Sequence, residues 1–379
     1  MKNLALYIHI PFCNQKKCDY CSFISYCDKK DEFDDYIDHL MKEIKLRGLS
    51  EGNQYKISSI YFGGGTPSVL REGDITNIML QIKRYFKLLP NVEITIEANP
   101  DSITEEKLRE YLLVGINRIS IGVQSINDRL LFSIGRLHNG KQAKQAIKLA
   151  QKVGFKNISV DMMIGLPSQT LKDVKNMAKF VAKSHVQHVS CYSLIVEPNT
   201  VLQEKLKAGV ITLPSEDETV EMYNLAYEIF KKAGLKRYEV SNFAIEDYEC
   251  KHNQNYWQLG EYLALGIAGH SYMKDTRFAN VEDYNKYITS LDNDTLPIVS
   301  VEKLNLNMRR EETLMLALRT REGLKIDEYD YKFGGHILKD KKKQVEFLCK
   351  NGFISVKNDY LRVCDNAFYV LNRIILMLI

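Results

Sequence analysis

A chain of 379 residues has room for one large domain and a smaller one, or for two of medium size. Its 45% hydrophobic and 26% charged content is ordinary for a soluble globular protein. With 52 basic against 48 acidic residues, the net charge of +4 is too balanced to point to nucleic acid or a membrane surface, and no nucleic-acid partner is expected.

The N-terminus, Met1-Lys2-Asn3-Leu4-Ala5-Leu6-Tyr7, has neither the apolar core nor the small-residue cleavage site of a secretory leader. No stretch approaches the roughly 18 apolar residues that span a bilayer, so a cytoplasmic protein is expected. Apolar, β-branched runs at Leu4–Ile10, Ile57–Phe62, Val92–Ile96, Arg118–Val123, Ile158–Ile164 and Val189–Val196 predict strands. They read as continuous rather than alternating, as parallel strands buried on both faces would. Helices are predicted between them. From Phe33, the residues Tyr36, Ile37, Leu40, Met41 and Ile44 keep an i, i+3, i+4 rhythm. Thr104 ahead of Glu105 to Lys107 reads as a helix start, and Thr170 to Phe180 as another helix. Repeated β-then-α units require a parallel sheet with right-handed crossovers. About six such units suit a partial (β/α)6 barrel better than a flat dinucleotide-binding sheet, since no strong glycine fingerprint follows the first strand.

After about residue 235 the rhythm breaks. Tyr238–Phe243 reads as one more strand, Glu249–Trp257 as a polar, aromatic loop, and Gly266–Gly269 as a glycine-rich run. From Arg309 a small α/β module is expected, winged-helix-like in pattern. Within it, Lys341–Lys343 is a solvated helix face. The apolar tail Ile374–Ile379 is a terminal core helix, with peripheral membrane contact as its minor reading. The expected division is a core at 1–235, an extension at 236–305 and a C-terminal module at 306–379.

Of eight cysteines, four fall within the first 27 residues, and Cys191, Cys250, Cys349 and Cys364 are scattered. Dense cysteine at one end of a leader-free chain points to a metal or cluster in a reducing compartment rather than to a disulfide scaffold. Cys13, Cys18 and Cys21 lie within nine residues on the loop after the first strand. Spacing alone suits an iron–sulfur cluster best, a zinc ion less well, and unligated thiols least. A structural zinc wants four ligands, and only Cys27 or a histidine offers the fourth.

Polar and glycine-rich motifs sit at the ends of successive predicted strands, where a barrel of this kind carries its function. They are Gly63-Gly64-Gly65-Thr66-Pro67, then Glu97-Ala98-Asn99-Pro100, then Gly122-Val123-Gln124-Ser125 with Arg136 and His138 following. Asp161 with Gly165-Leu166-Pro167, and Ile195-Val196-Glu197-Pro198, complete the set. One polar residue at a strand end is usually a cap; five in register on one rim read as a site.

The run Tyr7-x-His9-x-Pro11-Phe12-Cys13, followed by Cys18, Tyr20 and Cys21, resembles the radical S-adenosylmethionine (SAM) proteins related to oxygen-independent coproporphyrinogen III oxidase. Within that group the chain is similar to the HemW-type haem chaperones. The resemblance implies a [4Fe–4S] cluster on Cys13, Cys18 and Cys21, with SAM chelating the open iron through its amino and carboxylate groups. An electron would cleave the sulfonium and release a 5′-deoxyadenosyl radical, the cofactor carrying the hard chemistry. By motif, Tyr7, Gly64 and Glu97 would contact this SAM. Tyr20, Gly65, Thr66, Gln124, Arg136, Asp161 and Ile195 match the neighbouring pocket, where the oxidase relatives place a second SAM. A carboxylate suits a ribose hydroxyl or an ammonium, and Arg136 suits a carboxylate. One departure stands out: four residues separate the first two cysteines where the family has three.

Two features separate chaperone from oxidase. The oxidases carry a fourth cysteine two residues after the third and an N-terminal extension, whereas this chain has Phe23 at that position and Tyr7 near its start. Conversely, Cys250-Lys251-His252-Asn253-Gln254-Asn255-Tyr256-Trp257 matches the His-Asn-x-x-Tyr-Trp signature of the haem chaperones. An exposed His252 would ligate haem iron while Tyr256 and Trp257 pack the porphyrin. His270 is a second candidate, read as structural, and Arg277 a candidate for a propionate. The expected function is a haem chaperone that passes haem to acceptor haemoproteins and takes electrons from a donor. The alternatives are decarboxylation of coproporphyrinogen III and a non-catalytic zinc-binding module.

Overall fold

The computed structural model describes residues 1–27 and 29–379. Six strands, β1 (Lys2–Ile10), β2 (Tyr55–Gly64), β3 (Lys87–Ala98), β4 (Arg118–Gln124), β5 (Ile158–Ile164) and β6 (His188–Ser193), run parallel, each beside the next. Helices α1 (Phe33–Glu51), α2 (Asp74–Tyr85), α3 (Glu105–Val114), α4 (Gly140–Val153) and α5 (Leu171–Lys183) make the crossovers, and α6 (Glu216–Lys232) follows β6. The helix starts at Thr104 and Thr170 are side-chain caps: each hydroxyl accepts a bond from the backbone three residues on, with Asp173 closing a capping box at Thr170.

The strands are not apolar on both faces, which corrects the sequence expectation. In Ile119-Ser120-Ile121-Gly122-Val123-Gln124 and Ile158-Ser159-Val160-Asp161-Met162 every second residue is small or polar, yet nearly all are buried. One face of the sheet carries Ile60, Phe62, Ile96, Ile119, Ile121, Val160 and Val189 into an apolar core shared with the crossover helices. The other face is polar. Cross-strand register aligns Tyr7, Tyr61, Thr95 and Arg118 in one row and Glu97, Ser120, Ser159 and His188 in the next. Burial with alternation means that the inner face encloses a polar interior rather than water.

The segment 236–305 is built into the same sheet. The order is Ile298–Lys303, Thr276–Asn280, His270–Met273, Tyr262–Leu265, β1 to β6, Asn242–Ala244, Lys236–Arg237, twelve strands with two open edges. Tyr262–Leu265 pairs parallel with β1, a seventh parallel strand that the sequence reading lacked. Of the expected strand Tyr238–Phe243, only Asn242 and Phe243 are in a strand, Asn242–Ala244, which pairs antiparallel with β6 and with the short Lys236–Arg237 that precedes it. The expected polar loop Glu249–Trp257 is instead a helix over Lys251–Trp257. The Gly266–Gly269 turn is pinned by the fully buried Glu43 of α1, which accepts bonds from Gly266 N (2.8 Å), Asn280 Nδ2 (2.7 Å) and Tyr287 Oη (2.8 Å).

The C-terminal module has its own core around Leu314, Leu318, Leu361 and Ile374. A three-stranded antiparallel sheet, Leu324–Lys325, Tyr360–Val363 and Ile354–Lys357, packs with short helices. Its last helix, Leu371–Leu378, turns Leu371, Ile374, Ile375 and Leu378 inward. The module is tied to the barrel by a bridge between Glu239 and Thr320. Arg237 strengthens the tie, lying 3.6 Å over the Phe368 ring and bonding Asp365 at 2.6 Å. Among the described residues no helix is long and apolar enough to cross a membrane.

Candidate functional site

At the C-terminal end of β1 the chain leaves the sheet through Pro11 and Phe12 into the cysteine loop. Backbone bonds stitch this exit to the turn after β2: Gly65 N donates to Ile10 O (2.8 Å) and Thr66 N to Phe12 O (2.7 Å). The approach is so close that a Cβ at Gly65 would lie 2.5 Å from Phe12 O. Only glycine fits there. At Gly64 the backbone is left-handed (φ 112°) and a Cβ would strike the His9 ring. His9 is buried and braces both ends of the loop, Nε2 donating to Ile24 O (3.1 Å) and Nδ1 accepting from Tyr7 Oη (3.4 Å). Burial depresses its pKa to about 4.

Cys13, Cys18 and Cys21 all line one cavity of about 390 Å³, so the extra residue between the first two does not separate them. The loop's far half is anchored independently. Asp19 N donates to Ile134 O (3.1 Å), its carboxylate takes Lys205 Nζ (2.6 Å), and Tyr20 packs against Leu130, Ile134, Met163 and Leu166. Cys27 pairs through its backbone with Cys13 and does not line the cavity. Among the described residues no three His, Cys, Asp or Glu side chains are gathered as ligands of one metal ion. What the three thiols share is the cavity they line, and soft thiolates are the ligands an iron–sulfur cluster takes. Burial pushes the Cys13 and Cys21 thiols up, so an electron-poor metal centre is what would draw off their protons.

The strand-end residues border the same space as the thiols. Gly64, Gly65, Thr66, Glu97, Gln124, Arg136 and Asp161 line the same cavity, together with Tyr20. Arg136 links its parts, donating to Cys18 Sγ (3.4 Å), Asn99 Oδ1 (2.7 Å) and Gly122 O (2.6 Å). Burial alone would lower its pKa, but Tyr20 and Cys18 beside it prevail and keep it charged. Glu97 accepts from Tyr61 Oη at 2.8 Å. Its pKa is lifted to about 7 by burial and, secondarily, by Asp161. Asp161, also lifted by burial, accepts from Ser120 Oγ at 3.0 Å. The site thus offers a fixed cation, two carboxyls raised by burial and a closely packed glycine turn.

Two of the expected pocket residues lie elsewhere. Tyr7 sits behind the cavity, stacked on Tyr61 with ring centroids 6.2 Å apart. Ile195 is 68% exposed and outside the cavity. The physical reason is that β6 ends at Ser193, two residues short of it, and Tyr192 takes the place on the rim. Asp101, Ser120, Tyr192, Asn14 and Lys17 also line the cavity and were missed. Asp101 was the findable one, since it follows Asn99-Pro100 directly. His138 is buried and donates to Val123 O (3.1 Å), a brace within the fold.

The His-Asn-x-x-Tyr-Trp segment occupies the other end of the barrel interior. The helix Lys251–Trp257 is capped by buried Glu93, which accepts from the backbone of Lys251 and of His252, both at 3.1 Å. His252 is 1% exposed, not the open imidazole expected. Its Nδ1 meets Ser59 Oγ and its Nε2 meets Tyr256 Oη, each at 2.9 Å. Burial, and then the charge of Arg118, hold its pKa down at about 3. Both ring nitrogens are spent inside the fold. Tyr256 is spent with it, while Trp257 is half-buried at the edge of a second cavity. Arg277 is engaged by Glu312 and lies 3.9 Å from Glu302, so it is no free partner for a propionate. His270 is exposed at the start of the strand His270–Met273.

Comparison with known proteins agrees with this architecture. The Radical SAM superfamily family model matches residues 7–181, and the HemN C-terminal domain matches residues 304–370. Heme chaperone HemW of Bacillus subtilis is 36% identical over 331 residues, covering 87% of each chain. Heme chaperone HemW of Haemophilus influenzae is 33% identical over 98% of this chain and 97% of its own. The fold is that of the coproporphyrinogen III oxidase HemN from Escherichia coli, a radical SAM enzyme, with a TM-score of 0.87 and 21% identity over 100% of this chain and 90% of that one. With relatives this similar over nearly its whole length, the chain belongs to the HemW family of radical SAM proteins.

Proposed function

We propose that this protein is a haem chaperone that holds a [4Fe–4S] cluster on Cys13, Cys18 and Cys21, binds SAM beside it, and passes haem to acceptor haemoproteins. The observation that carries the reading is that three thiols of one loop share a single cavity with Gly64, Gly65, Glu97, Arg136 and Asp161. Its relatives named heme chaperones support the choice of haem as cargo. When bound, the cluster supplies one-electron chemistry at the SAM sulfonium. The chain's own residues do the rest. Glu97, once ionised, accepts an ammonium or hydroxyl, with Tyr61 holding the carboxylate in place. Arg136 presents a fixed positive edge to a carboxylate, and Asp161 takes a hydroxyl. The glycine turn lets backbone donors and acceptors come close to the ligand.

Anaerobic reconstitution followed by iron and sulfide analysis, with electron paramagnetic resonance before and after SAM, tests the cofactor half. Four irons and four sulfides per chain and a SAM-shifted spectrum are expected; zinc without sulfide refutes it. Haemin titration and transfer to an apo-haemoprotein test the chaperone half. Protoporphyrinogen formed from coproporphyrinogen III under reducing conditions with SAM would replace that half by the oxidase reading.

A further inference from the structure

We infer that the lysine stripes of α4 and α5, with the groove beside them, dock an acidic one-electron carrier protein that reduces the cluster. This deepens the proposed function and rests on its cofactor half. Helix α4 carries Lys141, Lys144, Lys148 and Lys152, and α5 carries Lys172, Lys175, Lys179 and Lys183. In each helix the steps are three, four and four residues, so each set forms one stripe. All eight side chains are exposed, while the opposite faces bury Ala143, Ile147, Val174 and Met177.

A lysine stripe is ordinarily a solvated helix face with acidic partners one turn away. These two stripes lack such partners: α4 has no acidic residue and α5 has only Asp173. Together the helices carry a net +7 in a chain that totals +4, which leaves the rest at −3. Among the described residues only Lys152 of the eight is in an ion pair, with Glu105 at 2.8 Å. Lys144 lies over the Phe180 ring instead. Lys141 and Lys172 stand in the first turns of their helices, where the dipole disfavours a cation. Helix stability therefore does not account for them.

The α4 stripe borders a cavity of about 750 Å³, lined by Lys141, Lys144 and Lys148 with Asn127 and Asn176. The carboxylates there are committed. Asp128 accepts from Gly140 N (2.8 Å), and Asp173 accepts from Asn127 Nδ2 (2.8 Å) and Thr170 Oγ1 (2.7 Å). One stretch of chain joins this groove to the thiol cavity. Gln124 and Arg136 line the thiol cavity, whereas Asn127 and Gly140 line the groove. The cationic patch thus begins on the rim that carries the cysteines, where a donor has to stand. A patch of one sign steers an oppositely charged protein and fixes its orientation. The reduced carrier gives up one electron to the cluster and is oxidised by one; no bond or proton is exchanged.

The reconstituted full chain is tested with flavodoxin, a small acidic flavoprotein, as the carrier. Calorimetry reads its binding, and the loss of cluster absorbance reads its reaction in the reduced form. Wild type should bind it, with affinity and reduction rate both falling about tenfold or more between about 0.05 and 0.5 M salt. The triple variant Lys141→Glu, Lys144→Glu, Lys148→Glu should lose about tenfold or more in both at low salt. Matched reversals in the C-terminal module, Lys339→Glu, Lys342→Glu and Lys343→Glu, should stay within about twofold of wild type. Dithionite should reduce all three proteins to the same extent, which shows that fold and cluster are intact. Carrier binding or reduction that the α4 reversals leave unchanged, or that the control reversals weaken equally, overturns the inference. So does a patch that binds phosphatidylglycerol vesicles but not the carrier. A wild-type chain that takes up no cluster overturns the cofactor reading itself.

Discussion

One methyl group added at Gly65 probes how the cysteine loop is held. The Cβ of Gly65→Ala would stand 2.5 Å from Phe12 O, 2.9 Å from Phe12 C and 3.0 Å from Phe12 N, all backbone atoms that no rotamer change can move. A carbon–oxygen contact relaxes at about 3.3 Å, so the loop exit and the glycine turn must part by roughly 0.8 Å. Gly65 is not in the left-handed region, and the clash is therefore the whole effect. Overpacking of this size costs about 1–3 kcal/mol, and relief comes at the two bonds that join Ile10 and Phe12 to the turn. Urea unfolding of the cluster-free chain should show that loss, and iron retained after anaerobic reconstitution should fall with it. Gly209→Ala is the contrast. Its Cβ meets nothing within 4 Å but its φ is 67°, so backbone strain costs about 1–2 kcal/mol with iron content unchanged. If Gly65→Ala is as stable as the wild type and retains full iron, the loop is not held by this approach.

The other expectations follow from the same geometry. His252→Ala strands two buried hydroxyls, on Ser59 and Tyr256, each costing about 1–3 kcal/mol; melting should drop while haemin affinity stays within about twofold, and the opposite pattern would restore His252 as a haem ligand. Because the folded-state pKa of Glu97 is raised to about 7 from 4.5, its contribution to stability is greatest below pH 4.5 and is lost as pH rises through 7. The stability of Glu97→Gln relative to wild type should therefore climb across that window, by up to on the order of 3 kcal/mol, and then level off; a flat difference between pH 4 and 8 would show that the carboxyl is not desolvated. Truncation before Leu371 removes four buried side chains, Leu371, Ile374, Ile375 and Leu378. At about 1.5–3 kcal/mol each the C-terminal module should lose its fold, and limited proteolysis that leaves the module intact would contradict this.

The strands and helix starts were legible because their signals are local. Branched apolar runs and the Thr104 and Thr170 caps act within a few residues, and the structure places them where the pattern does. The cysteine trio and the strand-end motifs were legible for a related reason. In a barrel of parallel strands, successive strand ends fall on one rim whatever the intervening loops do. Ile195 failed because that logic depends on where a strand stops, and β6 stops at Ser193.

At His252 local pattern and tertiary environment differ most. In sequence it stands in a polar, aromatic stretch, which is the pattern of a solvated loop. Its burial depends on Ser59 and Glu93, more than 150 residues away, reaching it from β2 and β3. Arg118, Ser159 and His188 are likewise polar in sequence and enclosed in the fold. The sequence by itself determined the parallel sheet, the thiol-bearing loop and the rim that faces it, since each follows from periodicity or spacing along a short stretch. Only the tertiary structure decided which polar groups are turned inward, that Tyr262–Leu265 joins the sheet beside β1, and that Trp257 borders a second cavity shared by barrel and module. Those outcomes depend on long-range pairing of buried donors and acceptors, and such pairing leaves no periodic trace in the chain.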